Sequence, residues 1–184
     1  MLRKEMNREE IERELVGKGD YVLIDNITRF LKENVPQDTK RFVFLKLVDI
    51  YEKRNMFFEA ADIYKKLSEI AMSSSDRVDY LLKEAQCYIK SGIFEKADVA
   101  ISRIPEDVKQ AERNRIMLYI AEAYKKQAEV YEKERRRSKA GKTYEKLLTM
   151  NISEGEKERI RKKLSGLYNE LGMIDEYMKL KGKI

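Results

Sequence analysis

A tyrosine frame recurs four times in this chain of 184 residues, and no other feature restricts the fold as much. The first copy runs Val48, Asp49, Ile50, Tyr51, then Asn55, Met56, Phe57, then Ala60, Tyr64 and Leu67. The second is Ala85, Cys87, Tyr88, Gly92, Ile93, Phe94, Ala97, Ile101 and Ile104. The third is Ala128, Val130, Tyr131, Ala140, Tyr144 and Leu147. The fourth is Ser165, Leu167, Tyr168, Gly172, Met173 and Ile174, with Tyr177 where the others have Ala. Successive tyrosines stand 37, 43 and 37 residues apart. A period in that range, built from helix-forming residues, predicts stacked helical hairpins.

The spacing has a physical reason. A small residue three positions before Tyr shares its face on the first helix of a hairpin. The Ala nine positions after Tyr lies on the second helix, where a small side chain lets the two helices approach closely. Asn55, Gly92 and Gly172 fall between the helices, where a left-handed C-terminal cap is required. Arg135 holds that place in the third copy, which leaves open a different or helical turn there. Phe57 and Phe58 are adjacent, so they cannot both face one core, and one is available to a partner.

Composition narrows the class. Eight Gly and two Pro are too few for a sheet-rich chain with many tight turns, so the chain reads as all-α. A single Cys excludes an internal disulfide and fits a reducing compartment, and Cys87 lies on the packed face of its helix. The absence of His removes the commonest general base and metal ligand. No Gly-rich phosphate loop, Cys/His cluster or nucleophile elbow is present, and the acidic pairs Asp20/Asp25 and Asp175/Glu176 are expected by chance among 33 carboxylates. The expectation is a non-enzymatic protein without metal or cofactor. Met1 to Leu15 alternates charges and does not read as a signal peptide, and no apolar run is long enough to span a bilayer. A cytoplasmic location follows as an expectation, and the Lys- and Glu-rich composition suits a thermophile.

The residues of the frame resemble tetratricopeptide repeats (TPR), a family that places a small residue, Tyr, Gly, Ala and an aromatic at fixed offsets. Ala85, Tyr88, Gly92 and Ala97 match, as do Tyr51, Ala60 and Tyr64. Near the repeat start, where the family has Trp or Leu, stand Phe44, Leu81 and Tyr124, and Arg161 breaks the pattern. The stretch EAQCYIKSGIFEKADVAI is also similar, more weakly, to the SNAP subgroup of vesicle-fusion adaptors. The resemblance covers roughly residues 38–184. It implies a right-handed α-solenoid of antiparallel helical hairpins. It also implies a groove lined by the first helix of each hairpin: Phe42, Leu45, Asp49 and Glu52, then Asp79, Leu82, Gln86 and Ile89, then Glu122, Lys125 and Glu129. Leu45, Asp49 and Lys83 occupy places where some members grip a C-terminal carboxylate with Lys and Asn, so that clamp is not expected.

In chain order, residues 1–36 read as a degenerate capping hairpin within one domain, 1–184. Its first helix covers residues 5–16 and is ended by Gly17 to Gly19. Its second is capped by Asp20 and carries a stripe of Val22/Leu23, Ile27 and Phe30/Leu31. Hairpins follow at 38–72, 76–104, 106–150 and 153–184. Pro105 predicts the first turn of a helix running from Glu106 to about Glu134, with a kink near Arg113 to Arg115 left open. Ser153 and Glu156 predict a capping box. A final helix from Asp175 to Ile184 ends the frame.

The third copy departs in charge. Arg136-Arg137 replace the apolar pair that follows the other turns, and with Arg135, Lys139 and Lys142 they make a basic cluster. Residues 133–184 carry 15 Lys+Arg against 8 Asp+Glu, and residues 1–132 carry 24 against 25. Such a patch suits an acidic peptide, a nucleic-acid backbone or an anionic surface, or is a solvated helix end. Three functions stay open. The first is an adaptor binding a peptide or helix of another protein in its groove. The second is a nucleic-acid accessory protein using the basic half. The third is a self-associating structural module, a possible homo-oligomer.

Overall fold

The computed structural model describes residues 2–181, with Lys181 described by its backbone only. Ten helices and no strand occur among the described residues: α1 (Arg8–Leu15), α2 (Asp20–Phe30), α3 (Gln37–Lys53), α4 (Phe57–Glu69), α5 (Ser74–Ser91), α6 (Phe94–Ser102), α7 (Gln110–Lys133), α8 (Arg137–Leu148), α9 (Glu154–Leu171) and α10 (Ile174–Lys181). The protein is all-α. The chain divides into two compact units, Met1–Pro105 and Glu106–Ile184. Below these are unit 1 and unit 2.

Four hairpins, α3/α4, α5/α6, α7/α8 and α9/α10, are closed by the same turn. The residue four after each frame tyrosine is left-handed: Asn55 at φ 57°, Gly92 at 80°, Arg135 at 57° and Gly172 at 69°. The next residue donates its N–H back to the tyrosine carbonyl: Met56 to Tyr51 at 2.8 Å, Ile93 to Tyr88 at 3.0 Å, Arg136 to Tyr131 at 2.8 Å and Met173 to Tyr168 at 2.9 Å. This is a Schellman cap, which satisfies carbonyls left over at a helix end. Arg135 therefore builds the same turn as Gly. In such caps an apolar side chain usually packs on the helix behind it. Here Arg136 takes that role by placing its guanidinium 6.0 Å from the centre of the Tyr131 ring.

The frame residues form the cores. In unit 1, Ala60, Leu67, Leu81, Ala85, Ile89 and Ala97 are fully buried, and Cys87 is 1% exposed. In unit 2, Ile120, Tyr124, Ala128 and Ala140 are fully buried, and Tyr144, Leu147 and Leu164 nearly so. Within each unit the first helices of consecutive hairpins run parallel and side by side. In unit 1, Arg41 of α3 meets Tyr80 of α5 at 3.1 Å, and Glu52 further along α3 meets Cys87 further along α5 at 3.8 Å. In unit 2, Lys125 and Glu132 of α7 meet Glu156 and Lys163 of α9, each at 3.0 Å.

Several boundaries differ from expectation. α1 starts at Arg8, because Asn7 and Glu10 form a complete capping box that the sequence reading passed over. Asp20 does not cap α2; Gly19 holds the cap position, and the Asp20 carboxylate pairs with Arg54 at 2.8 Å and Lys53 at 3.8 Å. In the α2 stripe Val22 is exposed, while Ile27 and Phe30 are buried. α7 starts at Gln110, and residues 106–109 form a turn, so the helix has 24 residues. Ser153 caps α9 by accepting the Glu156 N–H, but the Glu156 side chain accepts from Lys125. The last helix is described from Ile174 to Lys181; its expected continuation through Lys183 to Ile184 lies outside the described residues.

Candidate functional site

The expected groove positions separate in the structure. On α3, Leu45 and Asp49 are exposed, and Leu82 and Gln86 on α5 are half-buried. These four can meet a partner. Ile89 cannot, because it is fully buried in the unit 1 core. Phe42 is half-buried on the side of α3 that faces α1, with Arg8 of α1 and Lys46 at 5.8 and 5.3 Å from its ring centre. It is covered by cations from its own unit. Phe58 packs edge-on against Tyr88 at 6.1 Å, Lys96 lies 4.4 Å from its ring centre, and Phe57 carries Lys90 at 4.9 Å. Both phenylalanines are thus engaged within unit 1.

Lys125 belongs to the corresponding face of unit 2, which holds a hollow of about 210 Å³ lined by Lys125, Glu129, Tyr144, Glu156, Arg159, Ile160 and Lys163. Its charges are mostly paired. Lys125 binds Glu156 at 3.0 Å, and that hydrogen bond holds its ammonium above the ordinary lysine range. Lys163 donates to Glu132 at 3.0 Å and to the Tyr144 hydroxyl at 2.9 Å.

The basic cluster is spread over the α7–α8 turn. Arg136 pairs with Glu134 at 3.0 Å and Arg137 with Glu170. Arg136 and Lys139 both lie against the Tyr131 ring, at 6.0 and 5.7 Å. The cluster also faces an unfavourable field. The first turn of a helix favours anions, and α4, α6 and α10 carry Glu59, Glu95 and Asp175/Glu176 there, whereas the first turn of α8 has no acidic residue. Solvation of cations at a helix C-terminus therefore does not account for Arg137 and Lys139.

Sequence reasoning missed a set of tyrosine–carboxylate bonds. The Tyr64 hydroxyl donates to Glu52 at 2.9 Å and Tyr88 to Asp62 at 2.9 Å; Tyr144 donates to Glu132 at 2.7 Å and Tyr168 to Glu145 at 2.6 Å. Burial, then the neighbouring carboxylate, raises the pKa of Tyr64 and Tyr88, so they remain neutral donors. The signal was available: Tyr51 and Tyr131, Glu52 and Glu132, Tyr64 and Tyr144, Lys83 and Lys163, and Tyr88 and Tyr168 are each 80 residues apart. Unit 2 thus repeats the α3–α6 part of unit 1 at that offset.

Among the described residues no group of three or more His, Cys, Asp or Glu is placed to hold a metal ion, and no helix is long and apolar enough to cross a membrane. The Cys87 thiol is pushed up to about 12 by burial and by Glu52 beside it, so it is not a ready nucleophile. Comparison with protein-family models, curated proteins and solved structures finds no match to the chain.

Proposed function

We propose that the chain is a TPR-like right-handed α-solenoid that acts as a non-enzymatic adaptor. In this reading its unit 1 face takes a peptide or helix of another protein. The observation that carries the reading is the substitution pattern between equivalent faces. At the 80-residue offset, Leu45 and Leu82 of unit 1 correspond to Lys125 and Lys162 of unit 2. Leu45 is 36% exposed and Leu82 half-buried, on parallel neighbouring helices. Accessible apolar residues on a rigid helical face supply binding energy through burial, and the polar residues Asp49 and Gln86 beside them set register. The Arg135–Lys142 cluster supports the nucleic-acid reading less well, because Arg136 and Arg137 already have carboxylate partners.

The test is a purification from native lysate with and without nuclease, using the wild type, Leu45→Glu/Leu82→Glu, and Arg135→Glu/Arg136→Glu/Arg137→Glu. The expected result is nuclease-resistant capture of a protein, lost in the leucine variant and kept in the arginine variant. RNA that co-purifies and dissociates steeply between 50 and 200 mM salt, by ~10³ in affinity if six phosphates are contacted, overturns the adaptor reading.

A further inference from the structure

Unit 1 has a second concavity, on the side of α3 that faces α2 and α4. It is a hollow of about 520 Å³, a size that suits a small organic ligand. Its α3 lining is Lys40, Phe44, Leu47 and Tyr51, one stripe of the helix about 16 Å long at 1.5 Å per residue. α2 and α4 flank this stripe antiparallel, since short turns join them to α3 and Asp20 at the start of α2 meets Arg54 at the end of α3. The charged groups therefore gather at one end. Lys32 from just past α2, Lys40 from the first turns of α3 and Lys66 from the end of α4 gather at the α3 N-terminal end, opposed by one lining carboxylate, Glu69. Away from that end the floor is Phe44, Leu47 and Ile63, and it closes at Tyr51 and Thr28.

Two further observations point to a ligand. None of the three lysines has an ion-pair partner among the described residues, whereas Lys125, Lys126 and Lys163 of unit 2 do. The apolar floor is also particular to unit 1, because Leu47 and Ile63 correspond at the 80-residue offset to Gln127 and Thr143. A cationic mouth leading to an apolar floor is complementary in charge and polarity to one kind of molecule.

We propose that this hollow binds an anionic amphiphile, a single carboxylate or phosphate head on a medium-length alkyl chain. The head sits among Lys32, Lys40 and Lys66, and the chain lies over Phe44, Leu47 and Ile63 toward Tyr51. Hexanoate, octanoate, decanoate and octyl phosphate, each below its micelle concentration, are titrated calorimetrically into the full chain, with octyl glucoside as the neutral-headed control. One-to-one binding is expected, tightening about fourfold for each methylene added. Octanoate and octyl phosphate, compared directly, show which anionic head the mouth prefers. Lys40→Glu/Lys66→Glu, with unchanged helicity, should weaken octanoate by about tenfold or more. The Arg135→Glu/Arg136→Glu/Arg137→Glu variant should bind octanoate as the wild type does. Absence of binding at millimolar ligand, affinity independent of chain length, octyl glucoside binding as well as octanoate, or indifference to the lysine reversal each overturns the proposal. So does an acidic, leucine-containing tetrapeptide that displaces octanoate and binds more tightly, which would make the hollow a peptide site.

Discussion

Units 1 and 2 solve the same packing problem with different chemistry. Tyr88 donates to Asp62, but Tyr168 donates to Glu145, one helical turn further along the partner helix. The reason is a charge exchange. Asp62 and Lys65 of unit 1 stand where unit 2 has Lys142 and Glu145, so the acceptor moved by three residues and the bond persisted. In the core the units diverge more. Glu84 of unit 1 is 2% exposed; Arg103 meets both its oxygens at 3.0 Å and donates to Ser68 at 2.8 Å. At the Glu84 position unit 2 has Leu164, 1% exposed. A helical repeat thus tolerates either a closed ionic network or plain apolar packing at one site, provided no charge is left alone.

The largest test of that statement is Arg103→Ala. It strands the Glu84 carboxylate in the core and should cost about 3–5 kcal/mol in unit 1 by denaturant unfolding at neutral pH. Glu84→Leu/Arg103→Met, which puts the Leu of unit 2 at position 84 and removes the charge beside it, should recover most of the loss. Glu84 titrates above the ordinary carboxylate range because burial outweighs the attraction of Arg103. A carboxyl raised in the folded state binds more protons folded than unfolded, so stability falls as pH rises through that interval. Without Arg103 the rise is greater, and the deficit of Arg103→Ala should shrink on acidification toward the Glu84 pKa. A deficit independent of pH would show that Glu84 is not the stranded group.

Next in size is overpacking at the helix crossings. Ala60→Leu and Ala140→Leu should each cost about 1–3 kcal/mol, and by similar amounts, since both residues are fully buried at equivalent places. A clear inequality in thermal unfolding would break the equivalence of the units. Smaller still is the loss of a tyrosine hydroxyl. Among the described residues, Tyr64→Phe leaves Glu52 with the weak Cys87 donor alone, whereas Tyr144→Phe leaves Glu132 with Lys163. The first should cost about 1–2 kcal/mol and the second less than about 1 kcal/mol. Equal costs would mean that Lys163 does not satisfy Glu132. The smallest effect is a gain: Arg135→Gly should stabilise unit 2 by about 0.5–1 kcal/mol, because Arg pays for its left-handed backbone and Gly does not. Destabilisation would show that Arg135 contributes more through its side chain than its backbone costs.

How far these features were legible depended on their range. The frame and the places of Asn55, Gly92 and Gly172 are local rules, and the sequence states them directly. Arg135 left its turn open in the sequence, because propensity at that one position conflicts with the geometry that the other three copies share. The start of α7 misled because apolar spacing runs unbroken from Val108, while nothing local shows that residues 106–109 turn. Ile89 was misplaced for a third reason. A helix has a buried side toward its hairpin partner and another toward its stacking neighbours, and position in a repeat does not tell the two apart. The Tyr–carboxylate bonds lay hidden in the 80-residue offset, which pairs copies one and three, and two and four, better than neighbours.

The burial of Cys87 makes the thiol a clock for unit 1. A thiol held neutral under Tyr64, Glu52 and the α3–α5 contact is silent toward alkylating reagents while that packing persists. Each modification event then counts an opening of unit 1, and its rate at rising reagent concentration separates how often the unit opens from how long it stays open. Leu167 stands at the equivalent place in unit 2, so the chain's single cysteine reports on one half of the molecule and leaves the other unmarked.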